Sequence, residues 1–192
     1  MEIIGEKVTL SLLKSNDKAA LINAASDGRL WDLPFTFVPD KQTIDDYINT
    51  ALNGLAIGTV LPFVVKTKTD QVVGSTRFWK IDDKNRSLEI GHTWISASWQ
   101  QTFVNTEIKY LMLRYAFEER KCIRVQFKTD EINEKSRAAI LRLGAKEEGI
   151  IRYERIMSNG RKRNSVCYSI IEDEWITVKE LLLSKLLYDP NN

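Results

Sequence analysis

Between Ser87 and Lys128 the apolar spacing changes from alternate residues to every third or fourth, and then back. Ser87-Leu-Glu-Ile-Gly-His-Thr-Trp-Ile95 reads as a strand. Residues 105–119 read as a helix, with Val104, Ile108, Leu111, Met112, Tyr115 and Ala116 on one stripe, and Ile123–Lys128 reads as a second strand. A strand, a helix and a strand in that order join two parallel neighbours through a crossover. Whatever sheet this chain builds therefore contains one parallel pair.

The remaining segments surround that unit with antiparallel elements. Val8–Leu12 alternates as a first strand, and Ser15-Asn-Asp17 offers caps for a helix to about Ala25. Thr43–Leu52 is expected as a second helix, capped by Thr43 with Asp46 in the third position and ended by Gly54 and Gly58. Leu61–Lys66 and Gln71–Trp79, with turns at Thr69-Asp70 and Asp82–Asn85, lead into the 87–95 strand as a meander. A helix from Asn133 ends at Gly144, strands Glu147–Met157 and Lys162–Ile171 close on Asn159-Gly160, and Glu172–Tyr188 is helical. The expected fold class is α+β, a central mostly antiparallel sheet with one parallel strand pair, flanked by helices, in a single domain over residues 1–192. Where the parallel neighbours part, a ligand can enter and bond exposed strand amides.

Composition narrows the partners. Hydrophobic residues make up 43%, enough for a core, and a net charge of +2 with no concentrated basic stripe argues against a nucleic-acid partner. The dense basic run, Arg161-Lys-Arg163, sits beside Asn159-Gly160 and reads as a solvated hairpin tip. One His and two separated cysteines, Cys122 and Cys167, do not make a metal site, so no metal is expected and the thiols read as buried and free. No run approaches the ~20 apolar residues of a membrane span. The N-terminus carries no apolar signal run. A cytoplasmic protein with no membrane partner is the expectation, as a monomer or homodimer.

Three stretches carry candidate chemistry. Polar residues between Ser96 and Thr106 join the strand to the helix, and the first amides of a helix lack internal partners and attract anions. The irregular stretch Asp27–Asp40 holds Leu30, Trp31, Leu33, Phe35 and Phe37, which suits either a lid on the core or the wall of an acceptor pocket. Glu89 and His92 are candidate bases or solvent-facing strand residues. Three positions apart, they face opposite sides of a regular strand, unless a bulge at Gly91 changes this.

In its order of elements the chain resembles the GNAT superfamily of acyl-CoA N-acyltransferases, and within it the RimJ/RimL-like branch of ribosomal-protein N-terminal acetyltransferases. The resemblance runs through Arg29–Pro34, Leu61–Val65, Glu89-Ile-Gly91, Val104–Glu107, Asn133–Ala145 and Tyr168–Ile170. It implies acetyl-CoA as co-substrate, with its pyrophosphate on Gln100-Gln-Thr-Phe-Val-Asn105. Phe103 and Asn105 stand where the family motif has small residues, so access depends on where the Phe103 ring points. It also implies that the backbone of Thr93, Trp94 and Ile95 pairs with the pantetheine arm, that Asn133 contacts the same arm, and that Ser136 lies near the sulfur. Many members have a Tyr where this chain has Ile140. Glu89 is then the base candidate, with Trp31, Phe35, Glu89 and His92 toward a primary amine on a small molecule or a protein N-terminus. The alternative is a GNAT-fold binding module with weakened cofactor binding.

Overall fold

A computed structural model describes residues 1–188 of the chain; the last four, inside the expected domain span, lie outside the described residues. The strands are β1 (Glu2–Ile4), β2 (Val8–Leu12), β3 (Val60–Thr67), β4 (Val72–Asp82), β5 (Ser87–Ile95), β6 (Arg124–Asp130), β7 (Lys146–Ile156) and β8 (Lys162–Ile171). The helices are α1 (Lys18–Ser26), α2 (Ile44–Ala56), α3 (Phe103–Arg114), α4 (Glu134–Arg142) and α5 (Trp175–Leu187). All eight strands share one sheet in the order β1-β2-β3-β4-β5-β6-β8-β7. Its neighbours are antiparallel except β5 and β6, so the expected mixed architecture is the one that forms.

The inner strands of the sheet are buried on both faces, whereas the edge strand β7 is largely exposed, and the core shows why. Phe63 and Val65 of β3 pack with Val8, Leu10, Phe78, Leu88 and Ile90 against Ile108, Leu111 and Met112 of α3 and Leu182 of α5. Val64, between them, points the other way, to Leu21 and Ala25 of α1 and Ile44 and Ile48 of α2. That alternation is the period of a strand with apolar residues on both sides. Full burial of one such side chain contributes about 1.5–3 kcal/mol. Among the described residues no helix is long and apolar enough to cross a membrane.

Several boundaries differ from expectation for identifiable reasons. β1 is too short to show a pattern, yet it pairs Ile3 with Leu10 at the sheet edge. Thr43 makes no side-chain cap on α2. Asp40 organises that turn instead: its Oδ1 accepts from the Gln42 and Thr43 amides at 2.9 Å each and from Thr43 Oγ1 at 2.7 Å. The Thr43 hydroxyl and amide hold the Asp40 carboxyl below its ordinary pKa. α2 also continues through Gly54, where a Cβ would lie 2.4 Å from Val60 Cγ2; that glycine permits close approach of β3, and Gly58, with φ of 76°, follows the end of the helix. α3 begins at Phe103 and passes into a π-helical turn over Tyr115–Glu119.

The parallel seam is short. β5 and β6 pair only through Ser87↔Arg124, Leu88↔Val125 and Glu89↔Gln126. Beyond Glu89, β5 stays with β4 while β6 stays with β8 as far as Asp130. The two strands therefore diverge and leave facing edges with unpaired backbone groups.

Candidate active site

A cleft of about 1560 Å³ follows this divergence. Gln100, Gln101, Thr102 and Asn105 line one part of it, Glu89, His92 and Phe35 another, with Asn133 and Ser136 of the α4 entrance also in its wall. The seam, the turn before α3 and the turn before α4 thus meet around one space.

The wall formed by β5 is irregular. Ser75 pairs with Trp94 but Arg77 pairs with Gly91, so Thr76 alone opposes both His92 and Thr93. This is a bulge, and His92 takes the left-handed conformation at φ of 50°. The expectation that Glu89 and His92 face opposite sides fails for this reason. Trp79 pairs across the sheet with Glu89 and meets the His92 ring edge-on at 4.9 Å, and both residues line the cleft. Past the bulge, Thr93 turns toward α3 and Trp94 toward α2, where its Nε1 donates to Tyr47 Oη at 3.2 Å. The Trp94 ring is thereby engaged in the core, leaving its backbone for the cleft.

Glu89 is 3% exposed, and its Oε2 accepts from Lys80 Nζ and Gln126 Nε2, each at 3.2 Å. No described residue donates to Oε1. His92 is neutral: burial, then the charges of Arg77, Arg155, Arg163 and Lys80, push its pKa from 6.5 down to about 3. The unfolded chain binds a proton at this residue below pH 6.5 and the folded chain does not until about pH 3, so stability falls as pH drops through that window. Allowing for solvent reaching a half-buried ring, His92→Gln is expected to remove about 1 kcal/mol of the stability lost between neutral pH and pH 5, read by urea unfolding.

The turn before α3 is shaped by its own side chains. Gln100 Nε2 donates to Ile95 O at 2.9 Å, Gln101 is left-handed at φ of 61°, and Thr102 caps the helix by accepting from Val104 N at 3.3 Å. Phe103 does not line the cleft. Its ring meets Trp99 edge-on at 6.4 Å, and Lys7 Nζ lies 4.7 Å from its centroid. The Val104 side chain is in the core. Neither residue lines the cleft, and the Val104 amide is given to the Thr102 hydroxyl, so the cleft meets this turn through Gln100, Gln101, Thr102 and Asn105. The bulk of Phe103 does not fill the approach.

At the start of α4 Asn133 Oδ1 accepts from Ser136 N at 3.1 Å, so this side chain is a helix cap. The Ser136 hydroxyl donates to no described residue and borders the cleft. Ile140 is buried in the wall and supplies no hydroxyl. In the aromatic loop, Leu30, Leu33, Phe35 and Phe37 line the cleft, whereas Trp31 packs against the α1–α2 core and does not. The loop thus both covers the core and forms a wall.

Two features escaped the sequence. Lys109 of α3 is 6% exposed, and its Nζ donates to Thr93 Oγ1 at 2.8 Å. Among the described residues no carboxylate pairs with it, and burial lowers its pKa to about 7. On the helix surface it reads as a solvated lysine; only the parting of β5 and β6 brings it to the cleft. The run Arg161-Lys-Arg163 is likewise more than a solvated tip. Arg161 forms an ion pair with the fully buried Asp130, and Arg163 is 9% exposed and lines the cleft. Among the described residues no group of His, Cys, Asp and Glu could hold a metal, and the two cysteines are free.

Residues 7–146 match the family described as the acetyltransferase (GNAT) domain. The chain is 29% identical over 184 residues to a Bacillus subtilis (strain 168) protein described as "Putative ribosomal N-acetyltransferase YdaF", covering 90% of this chain and 95% of that one. A probable GNAT-family acetyltransferase from Chromobacterium violaceum ATCC 12472 superposes with a TM-score of 0.79 at 28% identity, over 91% of this chain and 88% of that one. Mycobacterium smegmatis RimJ, solved with CoA-disulfide, shares the fold with a TM-score of 0.79 at 19% identity, over 92% and 88% of the two chains. A polar turn at a helix start, an unpaired strand edge, and a neutral histidine and a half-free carboxylate on one cleft fit a thioester co-substrate with a nucleotide end. The chain belongs to the GNAT acetyltransferase family, and the reaction it serves is acetyl transfer from acetyl-CoA.

Proposed function

We propose that this chain, acting as one domain over residues 1–192, acetylates the primary amine of a protein N-terminus by direct attack in a ternary complex. The observation that carries the reading is the three-pair seam: past Glu89 it opens a strand edge that joins the first turn of α3 to Glu89 and His92. The description of YdaF as a ribosomal N-acetyltransferase supports a protein acceptor over a small amine.

Acetyl-CoA supplies an acetyl group as a thioester, from which an unprotonated amine displaces the thiol. The turn formed by Gln100, Gln101, Thr102, Phe103, Val104 and Asn105 would hold its pyrophosphate, the edge of Thr93, Trp94 and Ile95 its pantetheine, with Asn133 beside that arm. Edge amides near the bulge are preorganised donors for a developing oxyanion. Ser136, which borders the cleft, would hydrogen-bond the departing sulfur, and a serine hydroxyl gives modest help as an acid. Glu89 Oε1 is the free acceptor for the amine proton, directly or through water. Phe35 and His92 shape the acceptor side; Trp31 supports that wall from the core.

Calorimetry with acetyl-CoA and thiol release with N-terminal peptides test this. Asn133→Ala is expected to lower stability by about 1 kcal/mol through its cap and to slow transfer, and Ser136→Ala to slow transfer by about tenfold or less with the fold intact. No heat at about 1 mM acetyl-CoA, a concentration that reports even weak binding, would sink the reading. Unchanged rates in both variants would remove these two residues from it.

A further inference from the structure

Where β7 passes the cleft, its register with β8 breaks. Ile151 stands opposite Ser165 and Arg155 opposite Arg163, so three residues of β7 face one residue of β8, Asn164. Asn164 Oδ1 secures the displaced strand by accepting from Tyr153 N at 2.9 Å, and Tyr153 is left-handed at φ of 52°. Beyond this bulge Arg155 and Arg163 are directly opposed across the strands, and both line the cleft with His92. Like charges placed directly opposite on a sheet destabilise it. Burial, and then the charge of Arg155, work against the charged form of Arg163.

The nearby acids do not resolve this conflict. Glu89 is paired with Lys80 at 3.2 Å and Glu154 with Lys128 at 2.9 Å, while Asp130 is taken by Arg161. Arg163 Nε donates to Ser165 Oγ at 2.9 Å and lies 3.9 Å from Asp130 Oδ2. The Arg155 guanidinium has no ion pair or hydrogen bond with any described residue. This end of the cleft therefore holds an exposed Arg155 with no partner among the described residues, opposite a buried Arg163 that shares Asp130 with Arg161, and an incoming anion could bridge the two.

We propose that Arg155 and Arg163 bind an acid group, carboxylate or phosphate, carried by the acceptor a few bonds from its reacting amine. This rests on the acetyl-transfer reading of the cleft and adds the acceptor's chemistry. A guanidinium is a planar fork of donors that matches both anions. The same positive field disfavours a protonated amine, so it holds the acid and favours the neutral amine that attacks. Polyamines meet repulsion at both points. An acidic residue next to a protein N-terminus and the acid group of a small amine present the same chemistry.

The test compares kcat/KM for matched amines with saturating acetyl-CoA: peptide amides with Glu or Gln in the second position, alanine and alaninamide, phosphoethanolamine and ethanolamine, and spermidine. The acid member of at least one pair is expected to exceed its neutral partner by about tenfold or more, the effect of a charged hydrogen bond, and which pair responds identifies the source. Arg155→Gln should shrink that ratio to about threefold or less, and Arg155→Glu should invert it. Calorimetry with acetyl-CoA and the thermal midpoint of each variant separate this from a lost fold or a lost co-substrate site. Equal rates within every pair, a preference for spermidine, or bound acetyl-CoA with no probe acetylated would each overturn the acid-bearing acceptor. Absence of acetyl-CoA binding by the wild-type chain would overturn the proposed function itself, and this inference with it.

Discussion

Gly74→Ala is expected to lower the thermal midpoint by roughly 6–12 °C, which for a chain of this size corresponds to about 3 kcal/mol. Gly74 lies on β4 opposite Ile95. A Cβ there would sit 2.3 Å from Trp94 O, 3.3 Å from Trp94 C and 3.2 Å from Ile95 Cα. These are backbone atoms, with no side-chain rotation to relieve the contact. The strands must separate, and beyond Glu89 no β6 pairing holds β5 from its other side, so the strain falls on the core packing of Trp94 and Ile95. The displacement falls on Trp94 and Ile95, so acetyl transfer should decline further than stability alone explains. Differential scanning calorimetry and acetyl-CoA titration of the same variant check both parts. A midpoint within about 2 °C of wild type would show that β4 and β5 adjust without penalty.

Lys109→Met is expected to act in the opposite direction, stabilising the fold by about 3 kcal/mol at pH 6. The lysine is desolvated with a hydroxyl as its polar partner, and burial lowers its pKa from 10.5 to about 7. Between those two values the unfolded chain carries the extra proton, so wild-type stability from this group rises as pH increases from 7 to 10.5. Methionine has similar length and no charge to desolvate. The gain should therefore be full at pH 6, shrink through pH 9, and vanish near pH 10.5, where both states of the wild type lose the proton. Urea unfolding across that range measures it. A gain that does not vary with pH would assign the effect to packing instead of charge.

Much of the scaffold could be read from the chain. The strand–helix–strand unit and the Asn159-Gly160 turn each appear where spacing put them, because those signals are local. The bulge was foreseen at the wrong residue. Gly91 looked like the flexible position, yet the left-handed residue is His92. Gly91 is needed for another reason: a Cβ there would lie 2.7 Å from Trp79 Nε1. Sequence shows that a glycine is present and does not show whether it supplies a dihedral or room for a neighbour. Arg155, Arg163 and Lys109 escaped similarly. Each sits on an element whose pattern predicts solvent, and each meets the cleft through a register break or strand divergence that only the assembled sheet creates. Phe103 was legible as a departure, but the place its ring takes, half-buried at the edge of the core with Trp99 and Lys7 and away from the cleft, was not.

The open edge of β5 has a further consequence. A strand edge offers the same alternating amides and carbonyls whatever its side chains, so it can distinguish one ligand from another only by spacing. Under the proposed placement of acetyl-CoA, the edge of β5 between the helix start and Glu89 would work as a ruler: it would fix how far the reacting carbonyl lies from the phosphates and be indifferent to what either end carries. Discrimination must therefore reside at the termini, in the turn before α3 and among the charges beyond His92. The acceptor end can thus change its preference, residue by residue, without disturbing the length that sets where acetyl transfer occurs.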